Sequence, residues 1–222
     1  MQTSKDIRSM KDVLKDFQER MEKNIEYISD EEDAILQEKE QVRVINEKVA
    51  NLIPKMYWNA DIDKSISINP NKSFYIDGEA GRGKTHFLYA LVRDAILNKK
   101  KPHTIVYFPD ICLKYKNAPF AEKESIIQSL RKDNKLIFDD LGAEVKSDAS
   151  IELLSSILNY RCENLLFLGF TSNLGIGKLP YDDTRIKSRI AGIIKGNKFT
   201  LTSKRDKRLW LWMNRYWKTN LL

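Results

Sequence analysis

The sequence predicts an α/β fold: a mostly parallel five-stranded sheet flanked by helices, with an all-helical arm in front of it. Three observations carry this. Short apolar runs alternate with helical patterns from residue 53 onward, a glycine-rich loop joins the first such run to a helix, and the first fifty residues hold neither Gly nor Pro. With 222 residues, the chain has room for one α/β domain of ordinary size plus an appendage. The expected boundaries are 1–52 for the arm and 53–222 for the domain.

The arm is read from spacing. Ile7, Met10, Leu14, Phe17, Met21, Ile25 and Ile28 recur at steps of three and four with charges between them, so one helix with an apolar seam is expected. Ser29-Asp30-Glu31-Glu32 sets a hydroxyl three residues before a carboxylate, a capping-box arrangement that could restart a helix. Ile35, Val42, Ile45, Val49 and Leu52 supply a second seam, giving a helical hairpin or one long broken helix. A separate acidic arm is more than a core needs, so its seam is expected to grip a partner's helices.

Pro54 closes the arm. The strands expected beyond it lie at Ser73–Ile76, Thr104–Phe108, Leu136–Phe138 and Leu165–Phe170. Helices are expected at Thr85–Asn98, Asp110–Lys116, Ala121–Lys132, Ala149–Glu163 and Asp182–Ile194. Residues 1–50 carry a net charge of −4 against +7 for the whole chain, so the body is strongly basic and suits a polyanion. Cys112 and Cys162 have no His or Cys at ligand spacing and read as buried thiols rather than a zinc site or a disulfide. No apolar run approaches the ~18 residues of a membrane span and no secretory leader is evident, so a cytoplasmic protein without a membrane partner is expected.

The chemistry concentrates in a few motifs. Gly78-Glu79-Ala80-Gly81-Arg82-Gly83-Lys84-Thr85, followed by His86, matches G-x-x-x-x-G-K-[ST] between a strand and a helix. Gly78, Gly81 and Gly83 let backbone N–H groups converge on phosphate oxygens, and the following helix adds its positive end. Lys84 would place a charge on the β and γ phosphates of ATP, and the Thr85 hydroxyl would hold Mg²⁺. Downstream, Leu136-Ile137-Phe138 delivers Asp139 and Asp140 to a strand tip. Asp139 would hold the metal and Asp140 would polarise the attacking water. Thr171-Ser172-Asn173 ends the next strand and would lie beside the γ-phosphate. Arg185 and Arg189 stand at i and i+4 on one helix, placed either to bridge surface acids or to reach a neighbouring subunit's nucleotide. In the tail, Trp210, Met213 and Trp217 fall on one helical face, while Lys204, Arg205, Lys207 and Arg208 could meet phosphates.

The runs "IPKMYWNA", "GEAGRGKTH", "LIFDDLGAE", "TSN" and "TRIKSRI" together resemble, over about residues 50–205, the DnaC/DnaI/IstB group of AAA+ ATPases. The resemblance implies an ATPase that assembles side by side as a head-to-tail homo-oligomer with ATP at its junctions. It implies Arg189 as the finger with Arg185 close by, Asn173 as sensor 1, and Arg205 or Arg208 as sensor 2, with Ile53, Pro54 and Tyr57 near the adenine. Members load a DnaB-type replicative helicase onto single-stranded DNA or assist a transposase. The former would be held here through residues 1–52. Asp140 stands where AAA+ proteins usually have Glu, and Glu144 is the alternative base. Lys146, just past that turn, is the candidate DNA contact. The bare helical arm, without cysteines, looks more like a phage or mobile-element version. Two readings from other classes, a small-molecule kinase and an adaptor that binds ATP without turnover, have no use for the Arg185/Arg189 pair or for hydrolysis respectively.

Overall fold

The computed structural model describes the backbone of residues 10–202 and the side chains of residues 14–23 and 33–202. The chain divides into two compact units, one ending at Lys48 and one starting at Val49.

In the first, the expected break at Ser29 does not occur. A single helix, α1, runs Met10–Leu52 over 43 residues. Nothing in that stretch forbids continuity, since a capping-box sequence breaks a helix only where Gly, Pro or tertiary packing makes the break worthwhile. Ion pairs one turn apart, Arg20 with Asp16 and Arg43 with Glu40 and Glu47, lie along it. Along its apolar seam Leu14, Phe17, Met21, Ile35, Val42 and Leu52 are between 46% and 61% exposed, while Ile45 and Val49 are half-buried.

The second unit alternates strands and helices: β1 (Phe74–Asp77), α2 (Lys84–Leu97), β2 (Thr104–Tyr107), α3 (Phe108–Asn117), α4 (Phe120–Lys132), β3 (Lys135–Asp139), α5 (Asp148–Glu163), β4 (Phe167–Ser172), α6 (Thr184–Ile194) and β5 (Lys198–Thr200). The five strands pair in the order β2-β3-β4-β1-β5, every pair parallel. Parallel strands need covered faces, and period-two alternation supplies side chains to both. Phe74, Ile76 and Ile137 pack toward Phe87, Leu88 and Leu91 of α2. Tyr75, Leu136, Phe138, Leu168 and Phe170 point the other way, into a core with α3 to α6. Gly169 lies where a Cβ would come within 2.9 Å of the Phe74 ring and 3.0 Å of Ile137, so the close approach of β4 to both neighbours requires its bare backbone.

Several expected boundaries moved, two of them for causes visible in the structure. Residues 164–166 form a turn and not the start of β4, with Leu165 85% exposed at φ 51. The helix expected from Asp182 begins at Thr184, because the Asp183 carboxylate caps it by accepting from the Arg185 N–H. Arg161, at the end of α5, is fully buried and donates to the carbonyls of Leu130 (2.7 Å), Arg131 (3.1 Å), Asp133 (2.7 Å) and Phe167 (3.1 Å). It thereby ties the close of α4 to the openings of β3 and β4. Among the described residues, no helix is long and apolar enough to cross a membrane.

Candidate nucleotide-binding site

At the carboxyl end of a parallel sheet, strand ends and helix starts face the same way, which is where α/β proteins bind ligands. Here the loop between β1 and α2 supplies the floor. Gly81 (φ 80) and Gly83 (φ 98) hold left-handed backbone, and Gly83 caps α2 without a side chain, so the first N–H groups of that helix stay available to an anion. Gly78 is required for a different reason: a Cβ there would lie 2.6 Å from the Leu201 carbonyl of the chain leaving β5.

Lys84, only 5% exposed, donates from Nζ to the Gly78 carbonyl (2.7 Å), the Glu79 carbonyl (3.1 Å) and the Asn173 Oδ1 (2.7 Å). Lys84 and Asn173, 89 positions apart in sequence, thus meet through this ammonium. One residue on, the Thr85 hydroxyl donates to Asp139 Oδ2 at 3.0 Å. The loop's remaining polar residues pair with each other, Arg82 with Glu79.

Asp139 is buried at the tip of β3, and this desolvation raises its pKa above the usual carboxylate value. The Asp140 charge adds to the rise, while the Thr171 and Thr85 hydroxyls and Lys84 oppose it. Asp140 follows at φ 59, left-handed for a residue with a side chain. Thr171, fully buried in β4, explains how both are held: its hydroxyl donates to Asp139 Oδ1 and accepts from the Asp140 N–H at 3.0 Å. Sequence reading took Thr171 only as part of a polar strand end. Its signal was a β-branched hydroxyl inside an apolar strand, level with the paired acids.

Glu144, the alternative base, is held in place by two hydrogen bonds. It is buried, its Oε2 accepts from the Gly142 N–H at 2.8 Å and its Oε1 from the Tyr181 hydroxyl. Burial and the neighbouring carboxylate push the Tyr181 hydroxyl well above its ordinary pKa, keeping it a donor. Glu144 thus braces the turn after β3, and Asp140 stands at the strand tip. Tyr57 stacks on Tyr89 of α2 with ring centroids 4.7 Å apart and meets His86 edge-on at 6.3 Å, so the turn opened by Pro54, after the buried Ile53, lies along the start of α2.

Other expected residues lie elsewhere. Arg189 lines a cavity of about 890 Å³ with Ser73, Cys162, Phe167, Lys195 and Asn197, at the amino ends of β1, β4 and β5. Within one chain it is at the opposite end of the sheet from the glycine loop. Arg185 is held by the Asp183 carboxylate, and Lys146 pairs with Asp182, whose pKa it lowers. Arg205 and Arg208 lie outside the described residues, although the chain at Leu201 already touches Gly78.

No protein-family model matches the sequence. Over 119 residues the chain is 34% identical to the uncharacterized protein YqaM of Bacillus subtilis (strain 168), a match covering 51% of this chain and 37% of that one. The match thus spans little more than a third of that relative. Among solved structures, DnaI is similar with a TM-score of 0.52 and 26% identity, covering 75% of this chain and 82% of that one. A proposed primosome component from Streptococcus pyogenes serotype M3 is similar at the same TM-score and identity, over 68% and 90%. Fold and likeness define the class first: this is an AAA+ protein, with the five-stranded parallel sheet and helical flanks of that kind. Within that class, the likeness is to the DnaI and primosome-component structures, at 26% identity over 75% and 68% of this chain.

Proposed function

We infer that the protein is an ATP-dependent loader that places a DnaB-type replicative helicase on single-stranded DNA and hydrolyses ATP at the junctions of a head-to-tail homo-oligomer. One observation carries this: Lys84, Thr85, Asp139 and Asn173, drawn from three segments, meet at the carboxyl end of β1 through hydrogen bonds of 2.7 to 3.0 Å. The donor set fits magnesium. A hydroxyl and a carboxylate offer hard oxygens, and Mg²⁺ is commonly held by one or two carboxylates plus phosphates rather than by a cage. Among the described residues no cluster of three His, Cys, Asp or Glu side chains exists, as such a site allows. Bound there, the ion would neutralise charge developing on the phosphates.

The chain's own residues would divide the work. The N–H groups of the glycine loop and the start of α2 would orient the phosphate tail, with Lys84 supplying the point charge. Asp140 would accept the proton of the attacking water, which Asn173 would orient. Because Arg189 and the glycine loop occupy opposite ends of the sheet, Arg189 would act on a neighbour's nucleotide. Tyr57, Ile53 and Pro54 would flank the base, and Arg205 or Arg208 would complete the site from the tail. Lys146 would exchange Asp182 for a DNA phosphate. The arm would carry the helicase, in the cytoplasm.

Calorimetry with ATP and magnesium on the full chain tests the site. Lys84→Ala is expected to abolish the binding heat. Arg189→Ala should keep it and lower turnover by about 10³-fold or more. Normal hydrolysis by the Arg189 variant would exclude a shared site. A pull-down with the replicative helicase, with and without ATP, tests the partner; recovery of a transposase in its place would move the protein to the transposition branch.

A further inference from the structure

The continuity of α1 puts its two apolar seams into one register, and that register is a strict heptad. Ile7, Leu14, Met21, Ile28, Ile35, Val42 and Val49 recur at every seventh residue, the a position of a coiled coil. The d position holds Met10, Phe17, Asn24, Glu31, Glu38, Ile45 and Leu52, apolar at both ends and polar in the middle. A sustained seven-residue repeat imposes a left-handed supercoil with a second helix. Leu14, Phe17, Met21, Ile35 and Val42 are exposed along the stripe, Phe17 61% and Ile35 49%, while Ile45 and Val49 are half-buried.

The polar d residues choose the direction and the register. A parallel copy would set Glu31 level with Glu31 and Glu38 with Glu38, two like-charged layers in the middle of the seam. An antiparallel copy sets each a level with a d and pulls these carboxylates apart by an amount that depends on the register. With Phe17 level with Val42, the two Glu31 residues would still stand only about 4.5 Å apart along the pair. One heptad back, Phe17 is level with Ile35 and Leu14 with Glu38, and the two Glu31 residues separate to about 15 Å. In that register the two Asn24 residues flank the two-fold axis about 6 Å apart along the pair, so the polar group at the centre of each seam has a polar neighbour. A single Asn in an apolar seam is a device that fixes register. Seven apolar residues from each copy, Met10 to Val42, would leave water together. At roughly 60 Å² each they remove about 840 Å², the size of a weak interface and so of a concentration-dependent dimer.

We propose that α1 pairs antiparallel with α1 of a second copy of this chain, Phe17 against Ile35. This junction is isologous and so differs from a head-to-tail nucleotide junction, which does not use the arm. It does not rest on the proposed function, although one seam serves one occupant at a time, so a helicase seated on it would displace the second copy.

The test uses the full chain without nucleotide, carrying Arg189→Ala so that ATP junctions play no part, and Cys162→Ser; Cys112 is 5% exposed. Sedimentation equilibrium is expected to show a concentration-dependent dimer. Phe17→Cys with Ile35→Cys should form an intermolecular disulfide under mild oxidation. Phe17→Cys alone should not, because two copies of residue 17 would stand about 27 Å apart along the pair. Leu14→Glu faces the Glu38 carboxylate of the second copy and should weaken the dimer by about tenfold or more. Adding Glu38→Lys should restore it, whereas in a parallel pair the same addition would leave the new like-charged layer at position 14 in place and only change the sign of the one at position 38. A monomer at all concentrations, a disulfide from Phe17→Cys alone, or failure of Glu38→Lys to rescue Leu14→Glu would each overturn the proposal.

Discussion

Replacing Thr171 by valine keeps the shape of the β4 terminus and removes its hydroxyl, which serves Asp139 and Asp140 together. The bond to Asp139 is charge-assisted, a kind that contributes about 1.5–3 kcal/mol. The Asp140 N–H, 3.0 Å from the same oxygen, would lose its partner at a cost of about 1–3 kcal/mol and release a left-handed residue from its anchor. Only part of this reaches the reaction coordinate, since the strand still aims both carboxylates. Supporting residues around metal sites are worth about 10- to 100-fold, or roughly 1.4–2.7 kcal/mol. Thr171→Val is therefore expected to lower ATP turnover by about that factor and to raise the magnesium concentration needed for half-maximal rate. Nucleotide affinity measured without magnesium should hold within about threefold, because no phosphate contact changes. Thr171→Ser, which keeps the hydroxyl, should recover most of the rate. Phosphate release titrated with magnesium, beside calorimetry, separates these effects. Wild-type turnover in the valine variant, or an equal loss in the serine variant, would refute the reasoning.

Three further outcomes follow from buried groups. Asp139 has its pKa raised by burial, so its favourable contribution belongs to the protonated form and is lost as pH rises through the folded pKa; Asp139→Asn should raise the magnesium-free melting temperature at neutral pH while abolishing magnesium-dependent turnover, and a lower melting temperature would count against it. Arg161→Met should strand four backbone carbonyls and cost about 3–5 kcal/mol, a fall of roughly 10 °C in a thermal melt; an unchanged melt would show that α4 and β4 hold without it. His103, packed against Phe167 with its Nδ1 unpartnered, has its pKa lowered by burial from 6.5 to about 4. The neutral ring is the favoured form, so stability is complete above pH 6.5 and is lost as pH falls toward 4, by up to about 3 kcal/mol relative to His103→Phe. Equal acid sensitivity of the two proteins would rule this out.

The glycine-rich loop between strand and helix, the acid-tipped strand and the alternation of elements were legible because each has a local pattern: glycines at fixed spacing, an apolar run ending in carboxylates, a change of period. Strand β5 was not, for three residues alternating exposed and half-buried have no periodicity to read, and its place beside β1 is set by the backbone bonds from Tyr75 to Asn197 and from Leu201 to Asp77. Asn197 strengthens that contact by donating to the carbonyls of Asn69, Lys72 and Ser73, which lie more than 120 positions away and leave no trace in composition. Arg161 and the Glu144–Tyr181 brace were hidden for the same reason: charged residues look like surface until the partners that satisfy them are known. In α1, reading Ser29 as a cap obscured a repeat that passes through it without interruption.

The seam between β5 and the first glycine has a mechanical meaning. The Leu201 N–H is bonded to the Asp77 carbonyl at 2.7 Å, and the Thr200 hydroxyl to the Asp77 carboxylate at 3.1 Å. The edge strand is thus riveted to the hinge of the phosphate cradle with no slack between them. A tug on the polypeptide just past Thr202 would arrive at Gly78 as a displacement of the glycine loop's first residue, so that stretch of chain holds a handle on the loop's geometry.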